Sequence, residues 1–329
     1  MTLDQLEAMM KIVTVVFSFL FGITIGSFLN VCILRLPKGE SLITNNSHCM
    51  TCGTEIKRYD LIPVFSWLIL KGRCRACGAK ISPRYMLVEA LTGFLFVGVF
   101  LRYNFEIYGL YPVMLCLFIC GLIVLCFQDI DNREMVVGVL VYTALIAAAT
   151  QIMALTNRYL AFPEILLPET DLKDGIIGMF CVSLVILLFG FVITPLFYNS
   201  FADPDRKELK DAKKALKGLS QGSSDYKKTA DKIAALEKTV KEKEPVFGFG
   251  MGDVVLMAAG GLMLGTKAVI TAFFIAVILG AVYGVYKKIV SDEGENAFAF
   301  GPFLIIGLVT TAFINGAVIN FYLENMMYR

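Results

Sequence analysis

The 329 residues are 57% hydrophobic and 18% charged, with a net charge of +2 at neutral pH. Together with a mean hydropathy of +0.70, this excludes a single soluble domain and leaves an all-α polytopic membrane protein whose first partner is the lipid bilayer. The net charge says little by itself, because its distribution along the chain is what matters; no nucleic-acid partner is expected.

Ile12 to Leu34 supplies the ~20 apolar residues that a bilayer core requires. No small-residue cleavage site leads into a polar mature region, so this run reads as a retained span. Gly26, Ser27 and Asn30 lie at helical spacing near its end and are expected to face other helices, because lipid would not satisfy an Asn side chain.

Residues 35–84 are polar and basic and hold Cys49-Met-Thr-Cys52-Gly53 and Cys74-Arg-Ala-Cys77-Gly78. Each Cys-x-x-Cys pair lets two thiolates converge on one ion, and the Gly that follows permits a tight turn. The two stretches repeat: Cys49 is followed by Ile56 and Arg58-Tyr59, and Cys74 by Ile81 and Arg84-Tyr85. Two matching knuckles on one tetrahedral structural zinc are predicted, in a reducing compartment; four sulfur ligands leave no open position for catalysis. His48 is either a spare ligand or a solvent-facing flank.

Met86 to Tyr103 and Leu110 to Phe127 read as the second and third spans, running into Gln128-Asp129-Ile130-Asp131-Asn132-Arg133-Glu134. Taken alone, these carboxylates are either a solvated connector or functional acids. Val136 to Leu155 and Gly175 to Tyr198 are the fourth and fifth spans, joined by a loop bearing Pro and acidic residues. From 201 to 245 the composition turns to Lys, Glu, Asp and Ala with a narrow apolar stripe, which fits a helical hairpin or a disordered linker. Phe247-Gly248-Phe249-Gly250-Met251-Gly252-Asp253 follows. Its three glycines allow either close approach of another backbone or positive φ. Asp253 is either an N-terminal cap or an acid with a task, since ionisable residues at membrane segments are costly. Asp253 to Gly265, Ala268 to Tyr286 and Gly301 to Tyr322 complete about eight spans. The expected divisions are 1–34, 35–84, 85–200, 201–246 and 247–329.

Of the 30 Lys and Arg residues, 24 fall in segments 35–84, 128–134, 199–250 and 287–300. The positive-inside rule therefore puts these segments in the cytoplasm and both termini outside. Asp129 and Asp253 then share one depth on one side of the membrane. If their helices pack together, the two carboxyls can share a proton, one acting as general base on water and the other as general acid. The only His stands beside the cysteines and no HExxH helix is present, which disfavours serine or zinc-protease chemistry.

These residues resemble the type IV prepilin peptidase and N-methyltransferase family of aspartic membrane proteases. The resemblance is carried by Gly26-Ser-Phe-Leu-Asn-Val31 with Arg35-Leu-Pro37, both Cys-x-x-Cys knuckles, Ile62-Pro-Val-Phe-Ser-Trp67, Gly72-Arg-Cys74-Arg, Ile81-Ser-Pro-Arg-Tyr85, Glu89, Gly250-Met-Gly-Asp253 and Phe300-Gly-Pro-Phe303. It implies that Asp129 and Asp253 are the catalytic pair, and that a prepilin or pseudopilin with a short basic leader is cut on the cytoplasmic side of the bacterial inner membrane. It also implies methylation of the new amine by S-adenosylmethionine, although no Gly loop of the soluble methyltransferase kind is present, and pilus or secretion assembly partners. Gly248, Gly250 and Gly252 would receive the substrate's Gly edge. Two departures stand out: Val136-Val137 replace the Pro-Asp that usually follows the first aspartate, and the charged insertion is long. The competing reading is a transporter or scaffold in which the acids bind ions and the cysteine loop docks a partner.

Overall fold

The computed structural model describes residues 2–43, 47–103, 110–160, 170–197, 204–216, 228–230, 232–237, 249–290 and 299–314. The architecture is helical, and among the described residues the extended pairing is limited to two isolated bridges. The helices are α1 (Leu3–Arg35), α2 (Phe65–Ile69), α3 (Arg84–Arg102), α4 (Leu110–Asn132), α5 (Val137–Leu160), α6 (Leu172–Leu187), α7 (Thr194–Phe197), α8 (Pro204–Leu216), α9 (Met251–Leu264), α10 (Thr266–Val290) and α11 (Gly301–Ile314). A π-helical turn, Leu188–Ile193, separates α6 from α7. Six described helices are long and apolar enough to cross a membrane, whereas α9 and α11 are shorter apolar helices. At 14 residues, α9 spans ~21 Å by helical rise, less than the ~30 Å of a hydrocarbon core; the expected eighth span, Gly301 to Tyr322, runs past Ile314 into residues outside the described ones.

The chain divides into two compact units, Met1–Val182 with Val255–Arg329, and Ser183–Val254. In the first unit α4 is the central helix, packed against α1, α3, α5 and α11 and buried along most of its length. Helix α1 starts on a capping box, in which the Thr2 hydroxyl accepts from the Gln5 N–H and the Gln5 side chain accepts from the Thr2 N–H. It then lies directly on α3. A Cβ at Gly22 would stand 2.7 Å from the Gly93 Cα, and one at Gly26 would stand 2.7 Å from the Glu89 Cα. Small residues at helix contacts let backbones meet where no hydrophobic driving force separates helix from lipid. As expected from its spacing, Asn30 is buried and donates to the Tyr85 carbonyl at 3.0 Å. Glu89 takes a hydrogen bond from the Ser27 hydroxyl.

Glu89 also reaches out of the helical core. Its Oε2 accepts from the Val64 N–H at 2.6 Å. Val64 sits at φ 62° and ψ −54°, and the Phe65 N–H donates to the Pro63 carbonyl at 2.6 Å, which is a γ-turn centred on a β-branched residue. Such a conformation costs about 1–3 kcal/mol and persists only where its surroundings impose it.

The second unit contains the π turn, α7, α8, helical residues at 228–230 and 232–237, and the start of α9. Gly190 in the π turn packs against Phe249, with 3.1 Å left between a Cβ there and the Phe249 Cβ. Ion pairs Lys213–Glu237 and Lys232–Glu208 connect the two charged helical segments. Both pairs are about half exposed, so each contributes under ~1 kcal/mol.

Replacing Gly26 by Leu forces α1 away from α3. The expected result is destabilisation by about 3 kcal/mol or more, read as a lowered thermal unfolding midpoint in detergent.

Candidate functional site

The four cysteines of 35–84 are brought together, each sulfur within 4.8 Å of the others. The local fold shows why the sequence repeats. The Cys49 N–H donates to the Thr54 carbonyl and the Gly53 N–H to the Cys49 carbonyl, at 2.9 and 2.8 Å; Cys74 with Ala79 and Gly78 with Cys74 do the same at 2.8 and 2.9 Å. The Ile56 N–H donates to Ser47 and the Ile81 N–H to Gly72 at equivalent positions. Gly53 and Gly78 hold φ of 70° and 72°, a left-handed conformation that glycine adopts without penalty. Arg75 of the second knuckle clamps Asp60, which follows the first, through two bonds of 2.8 and 2.6 Å. That guanidinium holds the Asp60 carboxyl below the usual range.

The donor set fits a metal ion. The Cys49 and Cys77 sulfurs are 3.9 Å apart, close to the ~3.8 Å edge of a tetrahedron with metal–sulfur bonds of ~2.3 Å. Amides of Cys52 and Thr51 lower the Cys49 thiol to about 6. Cys77 is drawn down by the Ala79 amide, but Cys52, burial and the other sulfurs push it up to about 11. Four crowded sulfurs resist joint ionisation until a cation neutralises them. His48 is not among the converging ligands; it is bridged to Glu55 across the first knuckle.

In the first unit, Asp129 lies in the last turn of α4 and is 7% exposed. Its carboxylate accepts a main-chain hydrogen bond from Gly301. The Asp129 carbonyl accepts from the Arg133 N–H at 2.9 Å, and Arg133 turns the chain with φ 56°. On either side of Asp129, Arg84 grips the helix end: it makes two bonds of 2.7 and 2.6 Å to Asp131 and stacks 4.9 Å from the Phe127 ring. Asp131 is therefore paired, not merely solvated. Sequence reading had no way to find Arg84 as its partner, 47 residues away.

Gln128 was not singled out from the sequence. It is fully buried, its Oε1 accepts from the Val136 N–H at 3.4 Å, and its Nε2 has no partner among the described residues. The departure at Val136 thus has a structural correlate, because a Pro there would have no N–H to give.

In the second unit, Asp253 is 8% exposed and stands at the third position of α9. Its Oδ2 accepts from the Gly250 N–H at 3.1 Å, and its own N–H donates to the Gly250 carbonyl at 3.1 Å. Asp253 therefore caps the helix from its third position, supplying one half of a capping box; Gly250 before the helix has no side chain to return the other half. Gly250 and Gly252 do not use positive φ, and a Cβ at Gly250 would meet only ordinary contacts. Gly248 lies outside the described residues.

Comparison with known proteins decides the family. The profile of the bacterial peptidase A24 N-terminal domain matches residues 20–103, and that of the type IV leader peptidase family matches residues 116–285. The chain belongs to the type IV leader peptidase family. Within it, the chain is 30% identical over 315 residues to the type 4 prepilin-like proteins leader peptide-processing enzyme of Escherichia coli O78:H11, covering 89% of this chain and 91% of that protein. It is 24% identical to the prepilin leader peptidase/N-methyltransferase of Bacillus subtilis, covering 93% and 96%. It is 44% identical to the enzyme of that name from Myxococcus xanthus over 117 residues, 36% of this chain and 34% of that protein. No solved structure matches the chain. The family's N-terminal profile takes in the cysteine knuckles, and its leader peptidase profile takes in both Asp129 and Asp253.

Two expectations follow. Ligand thiols must lose protons to bind metal, so metal retention falls as pH is lowered from about 8 towards about 5, measured as metal per chain after dialysis. Arg84→Ala removes both the Asp131 pair and the Phe127 contact and is expected to destabilise more than Asp131→Asn, by about 0.5–1 kcal/mol, in paired thermal unfolding curves.

Proposed function

We propose that this protein cuts the leader from type IV prepilins or pseudopilins and then N-methylates the exposed amine. The reading is carried by one combination: a chain of the leader peptidase family holds two largely buried carboxyls at helix ends, each with a main-chain N–H donating to it.

On this reading Asp129 and Asp253 each contribute one carboxyl to the same reaction. One, ionised, takes a proton from water as the oxygen attacks the scissile carbonyl carbon. The other, protonated, donates to the carbonyl oxygen. Collapse of the tetrahedral intermediate breaks the C–N bond, and the leaving nitrogen takes up a proton to become the new amine. No covalent bond to the enzyme forms. The glycine edge at Gly248, Gly250 and Gly252 receives the substrate backbone; the ordinary contacts around Gly250 leave that position open to it.

The charge distribution supports a cytoplasmic cysteine loop and a cytoplasmic site of cleavage, in the inner membrane of a bacterium. Zinc is the metal that four thiolates at this spacing favour, held by Cys49, Cys52, Cys74 and Cys77; four sulfur ligands make its role structural. S-adenosylmethionine supplies the methyl group to the new amine, and no residue is assigned to hold it. The expected partners are the prepilin, the bilayer and the pilus or secretion assembly that receives the product.

The test is incubation of the purified protein with a prepilin and S-adenosylmethionine, followed by mass measurement of the N-terminus. The wild type yields the shortened, methylated product. Asp129→Asn and Asp253→Asn each lose cleavage by about 100-fold or more while still methylating a pre-cut pilin. Normal processing by both variants would return the acids to ion binding and the protein to the transporter or scaffold reading. Elemental analysis is expected to find about one zinc per chain.

A further inference from the structure

The start of α11 is built in a way that the peptidase reaction alone does not explain. The first four N–H groups of a helix have no partner within it. Here the Phe303 and Leu304 N–H groups both turn back to the Phe300 carbonyl, at 3.0 and 3.4 Å. Pro302 has no N–H. Gly301 is therefore the one residue in this turn whose main-chain donor is left over, and it is given to Asp129.

The approach is close enough that a side chain here would have to displace the Asp129 carboxyl and the Met135 methyl. A Cβ at Gly301 would lie 2.5 Å from the Asp129 Oδ2 and 3.2 Å from its Cγ, and would also overlap the Met135 methyl. The donor is held by rigid neighbours. The Phe300 ring covers Gly280 of α10, where a Cβ would come within 2.7 Å of it, and the Phe303 ring packs on Tyr283 of α10 with centroids 5.5 Å apart. A fixed donor aimed at a charged group costs no reorganisation when the reaction occurs.

We propose that Gly301 is a positioning residue for peptide cleavage: its N–H fixes the Asp129 carboxylate, and its missing side chain is what allows α11 to come that close. The inference rests on the assignment of Asp129 as a catalytic acid. A carboxylate held through one oxygen keeps the other for a water or substrate proton, and a shift of about 1 Å in such a group costs about 100-fold in rate.

The variant Gly301→Ala retains the N–H but drives the carboxylate away. With prepilin as substrate, kcat is expected to fall about 10- to 100-fold and KM to change by less than about 3-fold, while the same preparation still methylates a pre-cut pilin. Adding Met135→Ala relieves the collision with the methyl but not the one with Asp129, so the double variant is expected to stay slow. Retained kcat in Gly301→Ala, recovery in the double variant, or joint loss of methylation and cleavage would each overturn the proposal and leave Gly301 a packing residue. Asp129→Asn, assayed alongside, separates the two levels: if it still cleaves, the catalytic assignment fails whatever Gly301 does.

Discussion

Hydrocarbon offers no hydrogen bonds, so the polar side chains drawn into this helical core depend on donors and acceptors in the chain itself. Asp129 takes the Gly301 N–H, Asp253 the Gly250 N–H, and Glu89 the Val64 N–H together with the Ser27 hydroxyl. Asn30 gives to the Tyr85 carbonyl. Asp174 accepts from the Thr266 N–H at 3.3 Å, and Gln151 donates to the Leu262 carbonyl at 2.8 Å. In most of these the partner is main chain, at a helix end or a turn where the regular ladder leaves a group over. The polar sites of the protein are thus fixed by where helices start and stop.

Glycine makes those meetings possible. Gly22 and Gly26 bring α1 onto α3, Gly178 and Gly261 bring α6 and α9 into main-chain contact, and Gly301 brings α11 onto Asp129. Each removes the one atom that would hold the backbones apart, in a setting where packing and hydrogen bonding supply the association energy. The end of α4 is meanwhile gripped by Arg84 at Phe127 and Asp131, so the turn carrying Asp129 is constrained from α3 as well as from α11.

How much of this the sequence reveals depends on the range of the interaction. The two knuckles are readable in the linear chain because their ligands, glycines and ladder residues recur at one interval, and a short-range repeat folds as it reads. The inward face of Gly26, Ser27 and Asn30 is readable because helical period alone puts them together. The membrane helices themselves follow from apolar length. Asp131 is read less well: its partner Arg84 lies on another helix, and charge at a span end is usually solvated. Gln128 and the Val64 turn leave no local signal, since one depends on a loop folding back and the other on a carboxylate from α3. Asp253 was readable as either cap or functional acid, and the structure shows the capping bond without making the two exclusive.

The γ-turn at Val64 has a consequence for how the ribbon relates to the membrane. Its strained backbone is held by an acceptor on Glu89, which belongs to α3 and is itself oriented by Ser27 of α1. Cut free of those helices, residues 35–84 would keep their sulfur ligands but lose the carboxylate that secures the bend, and Val64 would relax to an ordinary conformation. The cysteine ribbon is in that sense an extracted fragment's poor subject: its shape is partly written by two helices that a soluble piece would leave behind.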